Sequence, residues 1–533
     1  MSHPRSILTH LLSVTMCAAA LLAGPSVGAQ TPGPADLIAQ RVQTLIPALE
    51  KYVASGMKDF DVPGMAVGIV VGDKLVYAKG FGVRSKSDGR PVDSRTVFQV
   101  GSTTKAFLAA TLAIAVDRGK LNWEDRVIDL DAEFRLKDPW VTREFRVFDL
   151  LAQRSGLPPY ANDLLGMYGF DEAAMIRSLR HVEPVSSFRS TFAYTNITHM
   201  LAGRIVAKAE GAANWEDVLQ KELLDPLGMK ESSYSAAALN AAANHAEGHL
   251  YKPEGTVQVP AFQLFPYEFA GAGAINSTIE DMARWVRLHL GDGSYEGRRI
   301  VSPENLAFTR APKVGITDKF AYAYGWAVAQ TPNGAVVWHN GGTTAFGAYV
   351  GLQLDKKFSV IVLTNETNVG FPDAVGLWAA DRLLDNPPVD HVAVMLKRAR
   401  DNAAKERQAF ARPANPRPAP PLKLFAGNFS NPSFGQAVLS TQGDSLVLEL
   451  KTTGARIKLD AWDGDIFTIA LMPNGQFADV VKNVGPEPVG FGQFQMDLEG
   501  KPNVLKLSYM ENGQVFEFRR EPGDAGAKPP AGR

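Results

Sequence analysis

Apolar positions in the first part of the chain repeat at two different periods. Between residues 35 and 57 they recur at the three- to four-residue spacing of a helix, and a Pro-Gly turn follows. Two apolar runs, residues 65–71 and 75–81, then flank a Gly-Asp-Lys sequence that is typical of a hairpin turn. The pattern therefore predicts one long helix followed by two antiparallel strands.

The middle of the chain is predicted to be mainly helical and to be followed by strands. Residues 105–117 have a strongly helical composition, so Ser102 stands where the chain enters a buried helix. Residues 121–264 are mostly helical and loop-like, with many Pro and Gly breaks. Strand character then returns in three short runs, 335–338, 348–354 and 358–364. We expect a helical insert within a sheet domain.

The sharpest change in composition lies at residues 411–421, where five prolines predict a stiff extended linker. Short alternating runs between Gly, Asn and Asp turns follow over residues 422–520 and predict a small antiparallel barrel or sandwich. The clearest runs are 445–450, 466–471, 504–509 and 514–518. The tail, 521–533, is rich in Gly, Pro and Ala and is predicted to be disordered.

The amino terminus has the pattern of a secretory signal. Arg5 precedes a largely apolar run, residues 7–23, and small residues up to Ala29 suit signal peptidase. One alternative is a membrane anchor, but the run is short for a membrane span, which needs about 20 residues. Lipidation of Cys17 is a second alternative, although Met16 stands where a small residue is preferred. We expect a signal over residues 1–29 and an exported, periplasmic or secreted protein without a membrane span after cleavage.

Composition and charge exclude several classes of partner. The 533 residues are 45% hydrophobic and 21% charged, which is ordinary for a globular protein. A formal net charge of -1 provides no basic field for phosphates, so nucleic acid is not an expected partner. Cys17 is the single cysteine, and its loss with the signal excludes disulfides, zinc-cysteine sites and cysteine catalysis.

Neither a metal nor a cofactor is predicted. His245 and His249 have the four-residue spacing of a zinc-binding helix, but Glu247 is one place late for His-Glu-x-x-His. Gly248 also weakens any helix there, so a structural role is preferred.

The first candidate for chemistry is the Ser-x-x-Lys pattern formed by Ser102 and Lys105. Residues three apart share one face of a helix, so the amine can reach the hydroxyl. A buried lysine with a lowered pKa can accept the proton as the serine attacks. Ser55 and Lys58 form a second copy near the end of the first predicted helix, without accompanying motifs, and we interpret it as chance.

Two further motifs follow in order, Tyr-x-Asn from Tyr194 to Asn196 and His-x-Gly-Gly from His339 to Gly342. This ordered set, over roughly residues 35–385, resembles the serine β-lactamase, penicillin-binding protein and related esterase family, and is nearest to the class C type. The resemblance implies that Ser102 is the nucleophile and Lys105 the base or proton shuttle. Tyr194 would activate the serine and protonate the leaving group, and which of Lys105 and Tyr194 takes the first proton stays open.

The resemblance also implies a substrate-binding set, Asn196, His339 and Gly341. Asn196 would orient substrate amides, and His339 would face a substrate carboxylate in place of the lysine of strict β-lactamases. A free imidazole changes charge between about pH 5 and 8, so that contact is expected to depend on pH. The backbone N–H groups of Ser102 and Gly342 would form the oxyanion hole.

Other copies of these motifs carry less weight. Tyr160 and Asn162 form a second Tyr-x-Asn, which we interpret as structural. The stretch from Lys451 to Gly454 resembles Lys-Thr-Gly but has one extra residue and lies beyond the linker. A Gly-x-Ser-x-Gly sequence occurs only inside the predicted signal, which disfavours an α/β-hydrolase.

We therefore expect an α/β protein of the β-lactamase/transpeptidase fold, an antiparallel sheet flanked by helices with a mainly helical subdomain, over residues 30–410. An all-β, barrel-like domain over 422–520 would follow, similar to the lipocalin-like domain of some serine peptidases. This barrel-like domain is a candidate for the contact between copies of the chain in a homo-oligomer. The expected function is a serine hydrolase that acts on short, linear or D-residue-containing peptides. Carboxylesterase, β-lactamase and a non-catalytic penicillin-recognition or scaffold protein are the alternatives.

Overall fold

The computed structural model describes residues 33–259, 265–510 and 513–522. The predicted signal and most of the predicted disordered tail lie outside these residues. The described helices are α1 Pro34–Phe60, α2 Thr104–Asp117, α3 Val127–Leu130, α4 Pro139–Glu144, α5 Val147–Leu151, α6 Leu164–Met167, α7 Glu172–Ser178, α8 Ile197–Glu210, α9 Trp215–Leu219, α10 Asp225–Leu227, α11 Ala236–Ala241, α12 Ala270–Gly273, α13 Ile279–Leu290, α14 Pro303–Arg310, α15 Phe371–Leu384, α16 His391–Ala409 and α17 Phe477–Val484.

Strands form the central sheet, short ribbons and a separate barrel. They are β1 Gly64–Val71, β2 Lys74–Gly82, β3 Phe98–Gln99, β4 His249–Leu250, β5 Val257–Gln258, β6 Asn276–Ser277, β7 Ser294–Tyr295, β8 Arg298–Arg299, β9 Val314–Gly315, β10 Phe320–Tyr322, β11 Ala327–Thr331, β12 Gly334–Gly342, β13 Gly347–Gln353, β14 Phe358–Thr364, β15 Gly427–Asn431, β16 Gly435–Gln442, β17 Ser445–Leu450, β18 Arg456–Asp463, β19 Ile466–Leu471, β20 Gly490–Met496, β21 Pro502–Tyr509 and β22 Val515–Arg520.

The central sheet has eight antiparallel strands in the order β2-β1-β14-β13-β12-β11-β10-β9. Helices cover both of its faces, so β1 is buried along its whole length although its side chains alternate. Val67 and Ile69 pack with α1 and α15, while Ala66 and Val70 belong to the core that includes α2 and α13. The predicted hairpin and the antiparallel sheet flanked by helices are confirmed.

Helix α2 is the central helix of the molecule. It contacts α8, α12 and α14 and is buried on nearly every side, which fits its apolar composition. The short helices between β3 and β9 form the predicted mainly helical subdomain around it. Residues at the start of α2 therefore lie between the sheet and that subdomain.

The C-terminal strands close into an eight-stranded antiparallel barrel, β15 to β22, in which β15 pairs with β22. Alternate side chains of β17, Leu446, Leu448 and Leu450, point into its apolar core. The sequence did not distinguish between a barrel and a sandwich, and the structure shows a barrel. Helix α17, inserted between β19 and β20, was not predicted.

The barrel packs directly on the helical subdomain. The buried hydroxyls of Tyr168 and Tyr509 are 2.6 Å apart, and the ring of Phe434 contacts those of Tyr168 and Phe170. Asn162 donates a hydrogen bond to Ser433 at 3.3 Å. The proline-rich segment is thus not the only connection between the two parts of the molecule. None of the helices in the described ranges has the length and apolar character that a membrane crossing needs.

The Tyr168–Tyr509 pair should stabilise this junction. We expect Tyr509→Phe to lower the free energy of unfolding by about 1–3 kcal/mol, because the Tyr168 hydroxyl would stay buried without a partner. Urea unfolding of the full chain measures it, with the double variant Tyr168→Phe/Tyr509→Phe as the matched control. The double variant should recover most of the loss, and equal stability of all three proteins would contradict this account.

Candidate active site

Three chain segments meet at the start of α2. A 3₁₀ turn, Gly101–Thr103, carries Ser102 into α2, and the loop with Tyr194 and Asn196 leads into α8. The third segment is the end of β12, which contains His339 and the two glycines after it. The structure therefore brings together all the residues that the three sequence motifs predict.

Close backbone contact explains the glycines at this junction. Gly101 has a φ of +51°, and a Cβ there would lie 2.8 Å from the backbone N of Gly342. A Cβ on Gly341 would lie 1.9 Å from the carbonyl oxygen of Val100. The turn that carries Ser102 can approach the strand only because these side chains are absent. The predicted oxyanion hole stays a prediction.

Lys105 is fully buried, and its amine lies among three acceptors. Nζ is 3.1 Å from Oγ of Ser102, 2.7 Å from Oδ1 of Asn196 and 2.8 Å from the carbonyl oxygen of Ala272. Burial lowers the pKa of Lys105 to about 7, and the negative charge of Asp163 partly opposes this shift. At neutral pH a substantial fraction of this amine is therefore unprotonated and able to accept a proton.

Tyr194 completes the surroundings of the hydroxyl. Its ring lies 4.7 Å from Nζ of Lys105. Burial raises the pKa of Tyr194 well above its ordinary value, while a hydrogen bond with Ser102 acts in the opposite direction. The phenol thus keeps its proton at neutral pH, and the group with a pKa in the neutral range is Lys105.

Asn196 links the lysine to an acid that sequence reasoning missed. Its Oδ1 accepts from Lys105, and its Nδ2 donates to Oδ2 of Asp163 at 2.7 Å. These two hydrogen bonds fix the orientation of the Asn196 amide, and its Oδ1 in turn holds the Lys105 amine in position. Asp163 directly follows the Tyr-x-Asn copy formed by Tyr160 and Asn162. This position beside a motif copy is the feature of the sequence that could have indicated a role for Asp163.

The copy at Tyr160 lies beside the candidate site. The backbone N of Tyr160 donates to the carbonyl oxygen of Tyr194 at 2.6 Å, and the two rings are 5.5 Å apart. The side-chain amide of Gln514, in the barrel, donates to the carbonyl oxygen of Tyr160. A barrel residue therefore contacts the loop that supports Tyr194.

His339 is held neutral, contrary to the expected titration. Its Nδ1 faces the carbonyl oxygen of Asn340, which only accepts, so Nδ1 carries the proton. Nε2 then accepts from the Tyr322 hydroxyl at 3.0 Å. Burial, with the nearby charge of Lys105, lowers the pKa of His339 to about 3. The expectation that this imidazole changes charge between pH 5 and 8 is wrong, because its depth in the fold was not visible in the sequence.

The discounted motifs lie elsewhere. Ser55 and Lys58 are exposed on α1, away from the converging segments. His249 is buried with Nδ1 against the carbonyl oxygen of Asn365, and His245 contacts the carbonyl oxygen of Ala242. Within the described part of the chain, no group of three or more His, Cys, Asp or Glu side chains could hold a metal ion.

Comparison with protein families gives two matches that divide the chain. The family model described as Beta-lactamase matches residues 49–384. A second model, described as a domain of unknown function, DUF3471, matches residues 411–520, the part that contains the barrel.

Curated relatives and a solved structure extend this likeness. Unguisins hydrolase ungD' of Aspergillus campestris is 29% identical over 500 residues, covering 86% of this chain and 88% of the relative. Penicillin-binding protein 4 of Amycolatopsis lactamdurans is 26% identical, over 57% of this chain and 81% of its own. The octameric penicillin-binding protein homologue from Pyrococcus abyssi is 22% identical with a TM-score of 0.58, covering 89% of this chain and 99% of that one, which supports the fold.

A neutral His339 leads to a prediction about pH. The ratio of kcat/KM for a free-carboxylate peptide to that for its carboxamide should stay constant between pH 5 and 8, because the imidazole stays neutral while its pKa is about 3. Steady-state kinetics with the matched pair measure the ratio. A ratio that falls as the pH rises through about 6.5 would show that His339 titrates with an ordinary pKa.

Proposed function

The chain belongs to the Beta-lactamase family, and from this premise we propose that it is a serine hydrolase that forms an acyl-enzyme on Ser102. The observation that carries the proposal is the 3.1 Å contact between Ser102 Oγ and the buried amine of Lys105, whose pKa is lowered to about 7. A depressed pKa beside a hydroxyl is the condition under which lysine acts as a general base.

The proposed reaction has two halves. As Ser102 Oγ bonds to the substrate carbonyl carbon, its proton passes to Nζ of Lys105, and the N–H groups of Ser102 and Gly342 stabilise the oxyanion. When the bond to the leaving group breaks, the Tyr194 hydroxyl donates a proton to it and regains one from Lys105. A water molecule then attacks the carbonyl carbon of the acyl-enzyme ester and gives a proton to the Lys105 and Tyr194 pair. The same pair returns a proton to Oγ of Ser102 as the bond between Oγ and the acyl carbon breaks, which releases the acid product and free Ser102.

We propose short, linear or D-residue-containing peptides as substrates. The Aspergillus campestris relative is named Unguisins hydrolase, which supports hydrolysis as the activity of this chain. The neutral His339 provides no fixed cation at that position, which argues against efficient β-lactam turnover. Tyr322 and Asn340 hold its ring, so it would shape the substrate site rather than pair with an anion there.

The organisation proposed for the chain is a signal over residues 1–29, an exported hydrolase domain over 30–410, a linker over 411–421 and a barrel over 422–520. A separate family model matches residues 411–520, which supports a C-terminal unit that ends at residue 520. The octameric state of the Pyrococcus abyssi homologue supports association of copies of this chain.

Covalent labelling tests the nucleophile. A fluorophosphonate should modify Ser102, and Ser102→Ala should abolish both labelling and hydrolysis of esters and peptides with the fold intact, because the attacking oxygen is gone. Peptide mass spectrometry locates the label, and Ser55→Ala is the matched control in the second Ser-x-x-Lys copy. A label on Ser55, or full activity of Ser102→Ala, would overturn the assignment.

The pH dependence tests the base. If the neutral amine of Lys105 accepts the proton, kcat/KM should rise with pH through a midpoint near 7, because the protonated form below that pH cannot accept. Lys105→Ala should lower the acylation rate by at least about a hundredfold. Stopped-flow acylation by a p-nitrophenyl ester measures both. A rate that does not change between pH 6 and 8 would exclude Lys105 as the base.

A further inference from the structure

Asn368, in the loop between β14 and α15, packs against the end of β12. A Cβ added to Gly342 would lie 3.6 Å from Cβ of Asn368, and one added to Gly347 in β13 would lie 3.2 Å from the same atom. The Asn368 side chain is half-buried, and its Nδ2 donates a hydrogen bond to the carbonyl oxygen of Gly341 at 2.9 Å. Asn368 therefore contacts the backbone of the two glycines that pack against the turn before α2.

The carbonyl that Asn368 contacts belongs to the same peptide group as the N–H of Gly342. This peptide group is trans, so its C=O and its N–H point in opposite directions. On the other side, the nitrogen of Gly342 lies against the turn that carries Ser102, since a Cβ on Gly101 would be only 2.8 Å from it. Asn368 thus holds one end of a rigid planar unit whose other end lies against the turn of the nucleophile.

Two contacts fix which end of the Asn368 amide faces β12. Its Oδ1 accepts a hydrogen bond from the backbone N–H of Gly370 at 2.9 Å, and its Nδ2 lies 3.1 Å from Oδ2 of Asp373. Burial raises the pKa of Asp373 to about 6, and hydrogen bonds from Asn368 and Asn340 oppose this shift. At neutral pH most of this carboxyl is therefore ionised and only accepts, so a flipped amide would bring two oxygens together. Asp373 thus fixes the orientation in which the amide presents its N–H to Gly341.

The resulting chain of hydrogen bonds runs in one direction. The N–H of Gly370 donates to the Asn368 amide, and that amide donates to the carbonyl of the peptide group that ends in the Gly342 N–H. An amide that accepts at its oxygen becomes a stronger donor at its nitrogen, and such chains strengthen one another in a low-dielectric interior. Gly370 is the cap residue of α15, so the chain starts at the positive end of that helix. Its dipoles therefore favour negative charge beyond Gly342.

We propose that Asn368 is a positioning residue of the oxyanion hole, which orients and polarises the Gly341–Gly342 peptide group toward the carbonyl oxygen of the substrate. Asn368 touches no reacting atom in this assignment and acts through the N–H of Gly342. The inference rests on the proposed acyl-enzyme on Ser102 and adds the source of the donor's strength. A stronger donor matters most where negative charge is fully developed, so its effect belongs to the transition state.

Acylation kinetics of the full chain test the proposal. Asn368→Ala should lower the rate constant for acylation by p-nitrophenyl acetate about tenfold, a smaller loss than the roughly hundredfold that follows removal of a whole oxyanion donor. The inhibition constant of phenylboronic acid, which forms a tetrahedral adduct with a serine, should rise by a similar factor. The midpoint of the pH profile should stay near 7, because the Lys105 amine keeps its surroundings.

The matched control lies at the other end of α15. Nδ2 of Asn386 donates to Oδ1 of Asp381 at 2.9 Å, so Asn386→Ala removes an Asn-to-Asp hydrogen bond of the same kind and the same five-residue spacing. It should leave the acylation rate and the boronate affinity unchanged. If Asn368→Ala does not fold, Asn368→Leu decides, since it keeps a branched side chain that has no N–H.

The carbonyl stretching frequency of the acyl-enzyme measures the oxyanion hole directly. A trans-cinnamoyl group with an isotopically labelled carbonyl carbon, transferred to Ser102 from its p-nitrophenyl ester, gives one band in the infrared difference spectrum. Asn368→Ala should shift this band to higher frequency, because a weaker Gly342 donor polarises the C=O less. Asn386→Ala should leave the band where it is in the wild-type chain, as a purely structural role for Asn368 would too.

The outcomes separate this inference from the proposed function. Equal acylation rates or equal carbonyl frequencies in the wild type and Asn368→Ala would overturn the inference and leave the hydrolase standing. A slower rate that comes with a shifted pH midpoint would assign the effect to Lys105 and would also overturn it. Absence of any acyl group on Ser102 in the wild-type chain would instead refute the proposed function, and the inference with it.

Discussion

Burial of the Lys105 amine is the interaction on which the rest of the site depends. An ammonium in a water-free interior is stable only if every N–H finds an acceptor. Here the acceptors come from Ser102, from Asn196 before α8 and from the Ala272 carbonyl at the end of α12. The turn before α2, the loop before α8 and α12 must therefore all be in place before the amine is both buried and supplied with acceptors, which couples the chemistry to the complete fold.

Local pattern was enough to predict the hairpin, the three later strands and the position of Ser102 at the start of a buried helix, because period and turn chemistry act over a few residues. It was not enough for Asp163 or for the Ala272 carbonyl, which reach Lys105 only through tertiary packing. The charge state of His339 was mispredicted for the same reason, since it depends on burial. Helix α17 was missed although Phe477, Val480, Val481 and Val484 have helical spacing, because alternating strands surround it.

The barrel is better understood as part of the hydrolase than as an appendage. Its core is continuous with that of the helical subdomain, and it contacts the Tyr160 loop behind Tyr194 through Gln514. On another side, α17 closes a cavity next to the segments that flank Ser102 and Gly342. One small domain thus contacts the loop that supports Tyr194 and also lines a cavity with residues close in sequence to Ser102 and Gly342.

The contact between Gly101 and the end of β12 has a consequence for how this scaffold can diversify. Because Gly101 and Gly341 have no side chains, the turn that carries Ser102 can lie directly against β12. Any Cβ at Gly341 would overlap the Val100 carbonyl. The pocket of about 490 Å³ between α17 and the hydrolase domain, in contrast, is lined largely by side chains that can vary in size and charge. A library that varies this scaffold should therefore hold residues 101 and 341 constant, because a side chain at either position would push the turn that carries Ser102 away from β12.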